Sequence, residues 1–141
     1  MTTATARVDF RTALAGILDD FRLANPTLIR QTYRARPATF NPPLAYVGPF
    51  NEPTILHEFG NRQTRSMRGQ LVIVEGVYEN AETADKLDVL ADALITYLTS
   101  QHARVSGATL LEAISSEDLD LAIGEVVYAA TLVVIRHNVV E

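Results

Sequence analysis

At 141 residues the chain has the common size of one domain and can bury roughly two thirds of the surface its unfolded form exposes. Apolar residues make up 48% and charged residues 21%, a balance that disfavours both disorder and a fibrous repeat. Cysteine is absent, which excludes disulfides, thiolate zinc sites and cysteine nucleophiles, and a net charge of −5 argues against indiscriminate binding to nucleic acid.

Phe10, Leu14, Ile17, Leu18 and Phe21 recur at helical spacing and predict a helix over 8–24, which Asn25 and Pro26 stop. Mixed polar and apolar residues from Leu28 to Arg36 predict a strand with one wet face, on which Arg30, Arg34 and Arg36 share a parity. Five of the six prolines follow, from Pro37 to Pro53, interleaved with Phe40, Tyr46, Val47 and Phe50. Proline donates nothing to a central ladder, so this segment reads as an edge strand or an extended loop packing through its aromatics. A short strand is expected over 54–59 and an arginine-rich loop from Gly60 to Gly69, so that 37–69 forms an extended arm.

The loop leads into a buried strand over 70–78, carrying Leu71, Val72, Ile73 and Val74. Asn80 stands where an N-cap belongs, and Glu82 complements the dipole of a helix from Ala81 to about Gln101. That helix holds Leu87, Leu90, Ala91, Leu94, Ile95 and Leu98 on one stripe and Glu82, Asp85, Asp88 and Asp92 on another. Ser106 and Gly107 break to a strand over 109–114; a polar turn, Ser115 to Asp118, then reaches Leu119 to Ile123, and Gly124 bends the chain. The closing segment, Glu125 to His137, is apolar on both parities and long enough for a strand of about 40 Å, which implies cover on both faces, part of it from a neighbouring subunit. The expected fold is a single α+β domain over 1–141, a mainly antiparallel sheet with two helices packed on one face and an extended proline-rich arm.

A search for chemistry finds no catalytic, cofactor or metal site. His57, His102 and His137 are isolated, and Ser106-Gly107-Ala108 lacks the glycine pattern of a nucleophile elbow. Asp118 and Asp120 read as polar positions alternating with Leu119 and Leu121, and the scattered single glycines make no phosphate-cradling loop. Met1 to Arg11 holds no apolar core of signal-peptide length, and the longest apolar run falls short of the about 18 residues a membrane span needs, so no membrane partner is expected.

Charge is segregated along the chain. Residues 30–74 hold Arg30, Arg34, Arg36, Arg62, Arg65 and Arg68 against Glu52 and Glu58, a balance of +4, whereas 75–125 hold eleven carboxylates against Lys86 and Arg104, a balance of −9. Arginine outnumbers lysine eleven to one, and its planar fork suits carboxylates and phosphates at interfaces; biased codon usage produces the same excess without a function. The acidic stripe likewise reads as a solvated face unless something compensates it.

The element order, together with Leu71-Val72-Ile73-Val74 before the Ala81–Gln101 helix and the closing Glu125-Val126-Val127-Tyr128-Ala129-Ala130-Thr131-Leu132-Val133-Val134, resembles the tail-terminator, or tail-completion, proteins of long-tailed bacteriophages over most of the chain. The resemblance implies a non-enzymatic virion protein, a hexameric ring at the head-proximal end of the tail tube that stops its growth and joins it to the neck. Its partners would be further copies of itself, the tail-tube protein and a neck or connector protein, with DNA passing through the lumen without sequence-specific binding. It would be assembled in the host cytoplasm and reside at the tail-neck junction. A heterologous ring needs two complementary patches per subunit, and Arg30, Arg34, Arg36, Arg62, Arg65 and Arg68 against Glu82, Asp85, Asp88 and Asp92 are the candidate pair, as ring interface or lumen. A head-tail connector of the same neck, and a small α+β enzyme or ligand-binding domain, are the alternative readings.

Overall fold

A computed structural model describes residues 6–49, 51–57, 63–77, 81–100, 104–105 and 109–140, of which 51–57, 63–67, 104–105, 109–114 and 136–140 are described as backbone. In chain order the elements are α1 (Ala6–Ala24), β1 (Gln31–Tyr33), β2 (Leu44–Val47), β3 (Asn51–His57), β4 (Gln63–Val77), α2 (Ala81–Ser100), β5 (Arg104–Val105), β6 (Thr109–Ile123) and β7 (Val126–Val140). The strands form one sheet in the order β1-β2-β4-β7-β6-β5, with β3 also paired to β4. Every pairing is antiparallel except that of β1 with β2. The fold is the expected α+β single domain with a mainly antiparallel sheet.

Both helices lie on one face. Phe10, Leu14, Leu18 and Phe21 of α1 and Leu90, Ala91, Leu94 and Leu98 of α2 are buried against Ala45, Val47, Leu71, Ile73, Val133 and Ile135, which share a parity across β2, β4 and β7. At α1's end the Asn25 backbone N–H and side-chain amide both donate to the Phe21 carbonyl, at 2.9 and 3.2 Å, and Pro26 follows. The opposite parity, Leu44, Tyr46, Val72, Val74 and Ala130, is buried under a smaller cluster that includes Phe40, Leu119, Leu121, Tyr128 and Leu132. The second face of the closing strand is thus covered in part by the chain itself.

Four expectations change. The strand foreseen over Leu28 to Arg36 shrinks to β1, because beyond Tyr33 the Arg34 carbonyl accepts from the Arg11 side chain at 2.9 Å and the chain bends away. Where it is described, the proline-rich segment forms strands rather than an extended arm: β3, which holds Pro53, pairs with β4 alone and is the expected edge, its register shifting between Asn51 and Thr54 around the proline. β2, by contrast, is interior and buried along its length, with the cis Pro42-Pro43 pair before it and Pro49 after it, so these three prolines bracket its ladder rather than interrupt it. Phe40 folds back onto its own sheet, its ring 6.0 Å from Tyr46 and 5.2 Å from Tyr128.

The arginine-rich stretch is strand from Gln63, since its backbone pairs with β3 on one side and β7 on the other; ladder hydrogen bonds need no apolar periodicity. The polar turn at Ser115 to Asp118 is absent, β6 running unbroken through it opposite Val134 to Thr131 of β7. Gly124, at φ 62°, occupies the two-residue turn between β6 and β7 that such a backbone suits. The expected N-cap at Asn80 lies outside the described residues. β4, β6 and β7 each have 15 residues, about 50 Å of strand, against about 30 Å for the 20 residues of α2.

Candidate functional site

The ten charged residues singled out in the sequence do not come together as one surface. Arg30 is exposed and donates to the Asn41 side-chain carbonyl at 2.9 Å. Arg34 turns toward α1, while Arg36 lies 5.7 Å from the Phe40 ring centroid as a cation over an aromatic face, so the shared parity of these two is lost where β1 ends. Arg36 also opposes the effect of burial on Tyr46, whose phenol burial pushes above its ordinary value. Arg65 stands in the ladder opposite Ile55 and Val139, and exposed Arg68 opposite Asn51 and Arg136; three positions apart in one strand, they have opposite parities. Arg62 and His102 lie outside the described residues, as does Ser106-Gly107-Ala108.

The acidic stripe is exposed but divided. Glu82 and Asp85 face a groove of about 420 Å³ between α2 and the α1–β1 connection, also lined by Thr27, Leu28, Pro43, Glu75, Lys86 and Val89. Asp88 faces a second groove of about 310 Å³, between α2 and β6, that Asp118 and Asp120 share, and Asp92 is exposed farther along the helix. Asp118 is more than a solvated position, since it accepts from the buried Thr131 hydroxyl at 2.7 Å and so satisfies a polar group in the core. Lys86 lies 3.4 Å from Glu82, an exposed i, i+4 pair worth a few tenths of a kcal/mol at about the level of other surface pairs. Among the described residues no three His, Asp or Glu side chains are grouped to hold a metal ion, and no helix is long and apolar enough to cross a membrane.

Sequence reasoning passed over three residues. Glu75 sits at the register shift between Val74 and Gly76, where a bulge turns it into the acidic groove. Arg7 and Arg11 lie one turn apart at the start of α1 and, with Val8, Arg34 and Pro49, line a third groove of about 360 Å³. Arg11 is its anchor, its guanidinium donating to the carbonyls of Arg34, Val47 and Gly48 at 2.9, 3.3 and 3.4 Å. Burial, and secondarily the charge of Arg34, draw Arg11 below its usual value. Both signals were readable: like charges at i, i+4 against a helix dipole, and one carboxylate inside an apolar run.

Burial pushes the Glu75 carboxyl above the ordinary glutamate range, with Lys86 opposing; Glu82 and Asp85 line the same groove. Between the ordinary and the raised value the folded state binds more protons than the unfolded, so stability is lost as pH rises through that window. Glu75→Gln is expected to leave stability unchanged in acid and to raise it at neutral pH by less than about 1 kcal/mol, read from urea midpoints at both pH values.

No protein-family pattern matches the chain, and no characterised protein matches its sequence.

Proposed function

We propose that this protein is a non-catalytic, ring-forming structural subunit of a bacteriophage tail, a tail terminator that caps the head-proximal end of the tail tube and joins it to the neck. The observation that carries the reading is the element order: an N-terminal helix, a short arginine-flanked strand, a long strand entering one long amphipathic helix, and a closing hairpin of two 15-residue strands. The resemblance to tail terminators rests on this order with a proline-rich extended arm after the first strand, where β2 and β3 stand instead, and with one long closing strand, here β7 of the hairpin. The over-long sheet and the separation of basic from acidic grooves add to it, since both suit a subunit whose surfaces are completed by neighbours.

Electron microscopy of the purified protein, alone and mixed with a tail-tube subunit, tests the proposal. Closed six-fold rings that seat on tube ends and arrest tube growth are the expected result. Monomers in both samples would refute it, and rings that bind a portal rather than a tube would assign the connector role instead.

A further inference from the structure

Resting on the ring reading, we infer that neighbouring copies of this chain join edge to edge, the free outer edge of β6 in one copy taking β1 of the next as an additional antiparallel strand. The occupant is a second copy of the chain, held by ladder hydrogen bonds and by arginines set against carboxylates.

β6 is the strand that most needs cover. Among the described residues its outer edge meets only β5, at Thr109 and Leu110, so from Leu111 to Ile123 its backbone pairs with β7 alone. Ser115, Ser116, Glu117, Asp118 and Asp120 along it are exposed. Soluble proteins blunt such an edge with lysine, proline or a bulge. Between Ile114 and Ile123 there is no lysine, proline or glycine, and the register shift of β6, between Leu111 and Ala113, precedes that stretch.

Its carboxylates select the partner. Pairing the free stretches of two β6 strands along their length centres a two-fold on Glu117, which then stands opposite its own copy with the two Asp118 side chains on the diagonal; like charges so placed destabilise a ladder. The other edge of the sheet is cationic instead. β1 pairs with β2 on one side and with no described strand on the other, and Arg30, Gln31 and Arg34 are exposed. The Arg30 N–H donates inward to the Pro43 carbonyl at 2.9 Å, and alternation along the strand turns the backbone groups of Gln31 and Tyr33 outward. Two different edges of one sheet define a heterologous contact, the kind that closes rings.

Direction and level agree as well. β1 is parallel to β2, and the three pairings from β2 through β4 and β7 to β6 are each antiparallel, so β1 runs opposite to β6. Rotation about a ring axis along the strands keeps that sense, which makes the new pairing antiparallel. Across the ladder, Tyr33 is level with Tyr46, Val72, Leu132 and Glu117, and Gln31 with Leu44, Val74, Ala130 and Leu119. Without stagger Gln31 meets Leu119 and Arg30 meets Asp120, while Asp118 lies on the diagonal to both Arg30 and Arg34. Strand tilt in a closed ring staggers the edges in steps of two residues, because an odd step would turn every side chain to the wrong face.

The chain has no cysteine, so engineered disulfides report the contact directly. Within one copy β1 and β6 are separated by β2, β4 and β7, about 19 Å, too far for a bridge. Gln31→Cys is combined in turn with Glu117→Cys, Leu119→Cys and Leu121→Cys in the full chain, which is assembled, oxidised and run on non-reducing gels. One of the three combinations should give a covalent ladder that ends at the ring, and no single variant should cross-link. In light scattering, Arg30→Glu/Arg34→Glu should raise the concentration needed for assembly by roughly tenfold at low salt with circular dichroism unchanged, and adding Glu117→Lys/Asp120→Lys to the same chain should restore assembly. Rings that none of the three combinations cross-links, or charge reversals without effect on assembly, overturn this inference and leave the ring reading standing. Cross-linking by Glu117→Cys, Leu119→Cys or Leu121→Cys alone would mean that β6 pairs with its own copy and likewise overturns it. A wild-type chain that stays monomeric with and without its tube partner overturns both readings.

Discussion

Phe21→Ala is expected to destabilise the domain by about 3–5 kcal/mol, a large share of the roughly 5–15 kcal/mol that holds a domain folded. Phe21 is fully buried and stands where α1 meets α2, its ring centroid 5.6 Å from that of Tyr97 with the planes tilted by 59°. Truncation removes the ring's transfer energy, opens a cavity that two helices docked on a common sheet cannot collapse to fill, and loses an aromatic pair worth about 0.5–1.5 kcal/mol beyond its area. The Tyr97 phenol, held above its ordinary value by burial and then by Asp20, should relax toward it when the cover is lost. Urea unfolding at one fixed protein concentration measures the effect, with Phe21→Leu as the milder control. A loss below about 1 kcal/mol would mean that α1 and α2 are not joined through this ring.

Gly69→Ala should cost about 1–3 kcal/mol, and Gly69→Val more, for the opposite reason, overpacking. Gly69 is buried in β4 directly beneath α1, and a Cβ there would stand 2.8 Å from Leu14 Cδ1, 2.8 Å from Phe10 Cε1 and 3.0 Å from Phe10 Cζ. Both obstacles are side-chain ends, but both residues are fully buried, so neither can swing into solvent to make room. Close approach of helix to strand is what requires glycine at this position. Leu14→Ala supplies the space that the new methyl needs. The double variant should therefore be less destabilised than the sum of the two single changes, with a coupling of about 0.5–3 kcal/mol, and strict additivity of the two would count against the contact.

The parts of the fold that were legible depend on near neighbours in the chain. α1 and α2 follow from 3.6-residue spacing and from stop signals a few positions away, and the Gly124 turn from one residue's tolerance of positive φ. The parts that were not legible depend on which backbone lies alongside. The prolines around β2 look the same whether they flank an interior strand or make up a loop, and only pairing with β1 and β4 distinguishes the two. Ser115 to Asp118 read as a turn because they are polar, yet they belong to β6, which stays exposed at that stretch while β7 supplies its hydrogen bonds.

The candidate site divides in the same way. The amino-acid sequence by itself determined a cysteine-free α+β domain with two amphipathic helices, a long closing strand and charge segregated along the chain, because composition and periodicity are local properties. Tertiary structure decided which of those charges share a surface. It separated Arg34 from Arg36 where β1 ends, divided the acidic stripe of α2 between two grooves, and set Arg34 beside Arg11 from 23 residues away. Coulomb interactions depend on distance in space, and that distance is settled by hydrogen-bonded pairing and helix docking rather than by separation along the chain.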